Sequence, residues 1–248
     1  VADPIHQFVI EPIIPIEIGG VDISFTNSSL WMIIGVVLST FFLTFSMRKR
    51  SMVPSRAQVS AEMLYEFVAG MIRENIGAKG RRYFPLIFSV FVIVLMGNIL
   101  GMIPYAFTYT SHIVVTMALA LMIFFIVIVV GIIRNGVEFF TLFAPPGVPM
   151  WLMPVIIPLE IMSFLTRPVT LAVRLFANMM AGHLVLKVFA GFSVAMLSLG
   201  IGGFFAGLIP MLFNVVLIGF EILIALLHAY VFTVLSCIYL KDTVDLHH

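Results

Sequence analysis

Glu160, Arg167 and Arg174 stand seven residues apart in an otherwise lipid-compatible segment, with Ser163, Thr170 and Asn178 between or beyond them at three- and four-residue steps. At 100° per residue all six occupy one helical stripe about 80° wide. A guanidinium keeps its proton, so Arg174 carries a permanent positive charge that must meet a carboxylate, water or backbone oxygen. An ionisable group inside a membrane segment marks a transport path or a counter-ion. Arg174 is thereby an electrostatic device and not a proton carrier. The alternative is a hydrogen-bonded packing seam between helices. Such seams favour small residues and neutral donors, whereas this stripe holds two arginines and a glutamate.

A second set has the chemistry to carry protons. His183 and Lys187, spaced i and i+4, point away from the stripe, and Asn214, Glu221 and His228 recur at seven-residue steps further along. The glycine-rich stretch between the two sets is expected to be a turn, which brings Glu221 and His183 to comparable depth. An imidazole facing a carboxylate makes a proton-relay pair. The bland alternative is a buried structural ion pair with no traffic.

The elements that position these residues follow from composition. Of 248 residues, 62% are hydrophobic and only 10% charged, and the mean hydropathy is +1.18. Both values lie far from those of soluble domains and indicate a polytopic, all-α integral membrane protein, read as a single membrane domain over residues 1–248. Residues 1–28, with Asp3, Glu11, Glu17, Asp22 and three prolines, form a polar extramembrane arm. A first crossing over residues 30–47 ends in Arg48-Lys49-Arg50, which places that end in the cytoplasm. Residues 57–80 carry Leu64, Phe67, Val68, Met71, Ile72 and Ile76 opposite Glu62, Glu66, Arg73 and Glu74. This is the pattern of an amphipathic helix on the cytoplasmic surface.

Crossings over 84–103, closed by Pro104, and 112–133 come next, then a connector over 135–150 whose Pro145-Pro146-Gly147 and Pro149 cannot continue a helix. Residues 154–240 form a long hairpin. Its first arm, to about residue 192, reaches about 55 Å at 1.5 Å per residue and must tilt or bend, with Pro168 the obvious bend site. Its second arm starts at about residue 211, after Gly200, Gly202, Gly203, Gly207 and Pro210. Five crossings put the amino terminus outside and the carboxyl terminus in the cytoplasm. The lone Cys237 excludes an internal disulfide. No basic leader-like stretch precedes Val1, so any targeting peptide is expected to have been removed. No phosphate loop, metal-ligand cluster or nucleophile arrangement is present, and no cofactor, nucleotide or nucleic acid is expected to bind.

The run Arg174-Leu175-Phe176-Ala177-Asn178-Met179-Met180-Ala181-Gly182-His183 resembles the signature of the a-subunit family of rotary F-type ATP synthases. Leu227-His228-Ala229-Tyr230-Val231-Phe232 with Ile238-Tyr239-Leu240 resembles its carboxyl-terminal signature. Glu160 with Pro168, and Asn98 with Pro104, fall in family order. The resemblance covers essentially the whole chain. It implies a non-catalytic, proton-translocating subunit of the inner membrane, whose partners are the ring of c subunits, the peripheral-stalk b subunits and the rest of the synthase. It implies that Arg174 faces the ring carboxylates and separates two half-channels. Glu160, Ser163 and Thr170 would line the inner one; Asn178, His183, Asn214, Glu221 and His228 the outer one. The order His183 then Glu221 looks like the alphaproteobacterial and mitochondrial version. His228 departs from the pattern, standing where the family usually has glutamine; a cationic form near Arg174 would be repelled. Arg167, able to snorkel to the interface, is expected to tolerate substitution better than Arg174. The competing reading is a self-contained proton-coupled secondary transporter, against which stands the absence of internal repeats. A mere membrane scaffold leaves the matched arginines and carboxylates unexplained.

Overall fold

A computed structural model of the chain describes residues 8–18, 21–22, 24–48, 51–103, 106–144 and 149–244. The expectations for Lys49, Arg50, Pro104 and Pro145-Pro146-Gly147 lie outside them. Five helices among the described residues are long and apolar enough to cross a membrane, and the fold is that of an all-α integral membrane protein with one amphipathic helix besides.

The amino-terminal arm adds short strands that composition did not suggest. β1 (Pro12–Ile14) pairs antiparallel with β4 (Phe25–Thr26), and β2 (Glu17–Ile18) with β3 (Val21–Asp22). The β-branched Ile13, Ile14, Ile18 and Val21 favour extended backbone over a helix. Helix α1 (Asn27–Ser46) then begins under a cap, the Thr26 hydroxyl accepting from the Ser29 amide at 3.4 Å.

Helix α2 (Arg56–Asn75) is capped in the same way by Ser55, whose hydroxyl accepts from the Gln58 amide. The later part of its apolar side is covered by protein, Val68, Met71, Ile72 and Ile76 being buried, while Phe67 is exposed. The helix thus packs part of its apolar side inward. Helix α3 (Phe84–Gly101) is the most enclosed crossing, with Ile87, Val90 and Val94 almost fully buried. Helix α4 (Ile113–Asn135) is followed by a 3-10 helix over Gly136–Phe143, where the connector had been expected to be non-helical. The prolines of the connector begin only at Pro145, past the end of this segment, so they do not forbid helical backbone over Gly136–Phe143.

Helices α5 (Met153–Leu197) and α6 (Ile201–Val244) are 45 and 44 residues long. At 1.5 Å per residue each reaches about 66 Å, roughly twice a ~30 Å hydrocarbon core. Helix α5 continues through both Pro158 and Pro168. Helix α6 begins ten residues before the expected start. The glycines are not a flexible connector: the reversal is confined to residues 198–200, with Gly200 at φ +85°. Gly203 lies so close to α5 that a Cβ there would stand 2.1 Å from the Met196 carbonyl oxygen. These glycines let two helices touch directly after a tight turn.

The chain divides into two compact units: residues 1–41, 93–112 and 175–229 in the first, and residues 42–92, 113–174 and 230–248 in the second. The first holds the turn between α5 and α6, where the Phe189 and Phe213 rings lie 4.9 Å apart. In the second, Phe164 collects the rings of Phe124, Phe139 and Phe143 at 5.0–6.5 Å, and the Asn135 amide donates to the Thr243 carbonyl at 2.6 Å.

Candidate functional site

Phe164, Pro168, Leu171, Ala172, Leu175 and Met179 form the buried side of α5. The polar stripe lies away from it. Ser163, Thr170, Arg174 and Asn178 are exposed, and Glu160 and Arg167 half-buried. A helix shows this pattern when its apolar side packs within the chain and its polar side is left to something else. Thr170 turns its hydroxyl back to the Arg167 carbonyl at 3.0 Å, a local bond within α5.

The two arginines of the stripe differ. Arg167 is held: its Nη1 donates to Asp242 Oδ2 at 2.7 Å, and its guanidinium lies 5.6 Å from the Phe164 ring and 5.3 Å from that of Tyr239. It ties the carboxyl-terminal turn of α6 to α5. Arg174 has no ion pair or hydrogen bond among the described residues. Sequence reasoning passed over Asp242 because it sits in a polar tail that reads as solvated.

The second set comes together inside the first unit. His183 and Glu221 are each 5% exposed, and His183 Nδ1 lies 3.1 Å from Glu221 Oε1. This is a close contact and not an aligned hydrogen bond, since both carboxylate oxygens of Glu221 are buried without a hydrogen-bond partner. A buried carboxyl group with no fixed donor is costly; the arrangement suits a group that exchanges protons with its imidazole neighbour or with water. Gly182 permits the approach, because a Cβ there would stand 3.0 Å from Oε1.

Two further polar groups line the same region. Thr108, from the segment after α3, meets His183 Nε2 at 3.1 Å and donates to the Gly101 carbonyl at 3.2 Å. Asn98, fully buried, donates to the Ala225 carbonyl at 3.1 Å and keeps an unpartnered Oδ1. Neither Asn98, a polar residue near the end of the second crossing, nor Thr108 is among the path residues expected from the sequence. The signal for Thr108 was the polar run Thr108 to His112 between two apolar crossings. Asn214, assigned to the same path, is half-buried with its Oδ1 also unpartnered.

His228 has a definite arrangement. Its Nδ1 lies 2.8 Å from the Ile224 carbonyl, which only accepts, so Nδ1 carries a hydrogen. Its Nε2 meets the side-chain amide of Asn178. In this arrangement a neutral imidazole accepts from the amide nitrogen, as a glutamine carbonyl oxygen would.

Comparison with known proteins adds a direct finding. Residues 29–241 match the family model described as ATP synthase A chain. The chain is 53% identical over 241 residues to the ATP synthase subunit a of Rhizobium rhizogenes, covering 97% of this chain and 96% of that protein. It is 52% identical over 246 residues to the subunit a of Agrobacterium fabrum, covering 99% of each. With the subunit a of Paramagnetospirillum magneticum it shares 51% identity over 249 residues, covering 99% of this chain and all of that protein.

Proposed function

The chain belongs to the ATP synthase A chain family, and from that premise we propose that it is the stationary subunit whose two offset aqueous half-channels bring protons to a rotating ring of c subunits. Family membership makes it a multi-pass, non-catalytic component of the synthase's membrane sector, and full-length likeness to named subunits leaves little room for a self-contained transporter. In this reading protons enter from outside along Asn214, Glu221, His183, Asn178 and His228. They neutralise a ring carboxylate, ride the ring, and leave through the inner half-channel at Thr170, Ser163 and Glu160. Arg174 separates the halves. The amino terminus lies outside and the carboxyl terminus in the cytoplasm, and b subunits of the peripheral stalk hold the chain still.

The observation that carries this reading is the contrast on α5. Arg174 is a permanent cation on an exposed helix face that makes no ion pair among the described residues, whereas Arg167, seven residues earlier, is paired. A charge so placed in a membrane segment needs an external partner. A passing carboxylate supplies it. The guanidinium favours the ionised carboxylate, drives its proton toward the exit, and then bars a continuous water wire. Each proton crossing 100 mV carries about 2.3 kcal/mol, which such a wire would dissipate. The test is cysteine cross-linking in assembled vesicles. Cysteines replacing Ser163, Thr170 or Asn178 are expected to form disulfides with cysteines placed beside the ring carboxylate. Cross-links only from the opposite, buried side of α5 would refute the reading.

A further inference from the structure

We propose that the Thr108 hydroxyl is a positioning group of the outer proton path, fixing the tautomer of His183 that turns a bare Nδ1 toward Glu221. The inference rests on the reading of His183 and Glu221 as proton carriers and adds a residue and a role to it.

A threonine hydroxyl has one proton. The Gly101 carbonyl oxygen, 3.2 Å away, can only accept, so that proton points to it. Toward His183 Nε2, 3.1 Å away, the same oxygen must then accept, and Nε2 carries the hydrogen. The neutral ring consequently presents the lone pair of Nδ1 to Glu221 Oε1 at 3.1 Å. A proton on Oε1 can leave it and bond to Nδ1, giving a carboxylate and an imidazolium while Nε2–H stays on Thr108; the reverse step restores both. In the other tautomer Nδ1 is already occupied, so the ring can take a proton only at Nε2, on the side of Thr108, and none directly from Glu221. Besides Glu221, the groups near His183 are Lys187, one turn on, and the Phe8 ring, 6.5 Å away.

The placement of Thr108 is rigid. It is 1% exposed, its own carbonyl accepts from the Ser111 hydroxyl at 2.6 Å, and it lies so close over Gly101 that a Cβ there would stand 2.4 Å from Thr108 Cγ2. A side chain so enclosed keeps its hydroxyl orientation without a rotamer search.

The test uses the assembled synthase in vesicles, with ring-15N-labelled histidine read by solid-state NMR and ATP-driven proton pumping by dye quenching. The His183 signal is the one lost in His183→Gln. In the unsubstituted enzyme neutral His183 is expected to show a protonated Nε2 and a bare Nδ1. Thr108→Val, nearly isosteric, is expected to mix the tautomers and lower pumping about fivefold or more, the equivalent of one net hydrogen bond; Thr108→Ser is expected to preserve both readouts. A neutral His183 protonated on Nδ1 in the unsubstituted enzyme overturns the proposal, whether or not the valine variant assembles, and so does full pumping by Thr108→Val. His183→Gln and Glu221→Gln separate the two ideas. If both stall while Thr108→Val pumps normally, only the role of Thr108 fails; if both pump normally, the reading of the pair fails with it.

Discussion

Arg167 Nη1 lies 2.7 Å from Asp242 Oδ2, so the first arginine of the α5 stripe is tied to the last turn of α6. The side chains are 23% and 31% exposed, which weakens the pair by solvent screening, but the guanidinium also lies near the Phe164 and Tyr239 rings. Two charges of like sign on one helix face are therefore held differently, Arg167 in an ion pair with α6 and Arg174 in none among the described residues.

Removing either member of that pair is expected to lower stability by about 1–3 kcal/mol. Arg167→Ala, Asp242→Ala and the double variant are compared by the temperature at which the subunit is lost from the assembled complex. The pair predicts non-additive losses, the double variant being little worse than Arg167→Ala. Independent effects would mean that the contact contributes nothing.

His183 and Glu221 are expected to act as one unit. His183→Gln and Glu221→Gln should each slow ATP-driven pumping. The exchange His183→Glu with Glu221→His should recover more than the single changes predict, since it keeps one imidazole and one carboxyl at the 3.1 Å contact. Strictly additive losses, measured by dye quenching in inverted vesicles, would separate the two sites.

At position 228 a neutral acceptor toward Asn178 is what the geometry uses, and glutamine can supply it. His228→Gln is expected to stay within about twofold of the original pumping rate, because a hydrogen bond is kept. His228→Leu, which strands the Asn178 amide, should lose about fivefold, near the net worth of one hydrogen bond. A glutamine variant as poor as leucine would show that the imidazole's own proton is needed.

Much of this was legible beforehand. The seven-residue spacing of Glu160, Arg167 and Arg174 sets helical phase, and phase alone puts them on one face; hydropathy locates five long apolar helices, the last of them with its start ten residues late. What spacing cannot express is distance across the fold. Asp242 and Thr108 lie 75 residues from their partners Arg167 and His183, and no local pattern, not even the polar run that contains Thr108, names those partners. The start of α6 was misplaced for a different reason. Gly202, Gly203 and Gly207 carry low helix propensity, but here close packing of Gly203 on Met196 overrides propensity.

That contact makes the turn sensitive. Gly203→Ala would drive a methyl group into the Met196 carbonyl, where backbone must move, and is expected to cost about 1–3 kcal/mol or more. Gly202→Ala, with open space around its Cβ position, should be neutral or slightly stabilising. The amounts of assembled complex extracted from membranes compare the two. Equal yields would argue against direct helix contact at the turn.

The central claim concerns Arg174, and the most direct measurement is proton flux in inverted vesicles carrying Arg174→Ala, per assembled complex, with ATP and then under an imposed potential without it. The account predicts no ATP-driven pumping, together with passive flux above that of the unsubstituted enzyme because the barrier between the half-channels is gone. Arg174→Lys is expected to fail in pumping as well, since lysine lacks the planar many-donor group and loses its proton more readily when desolvated. Coupled pumping retained by Arg174→Ala would contradict the account and remove the gate from this residue.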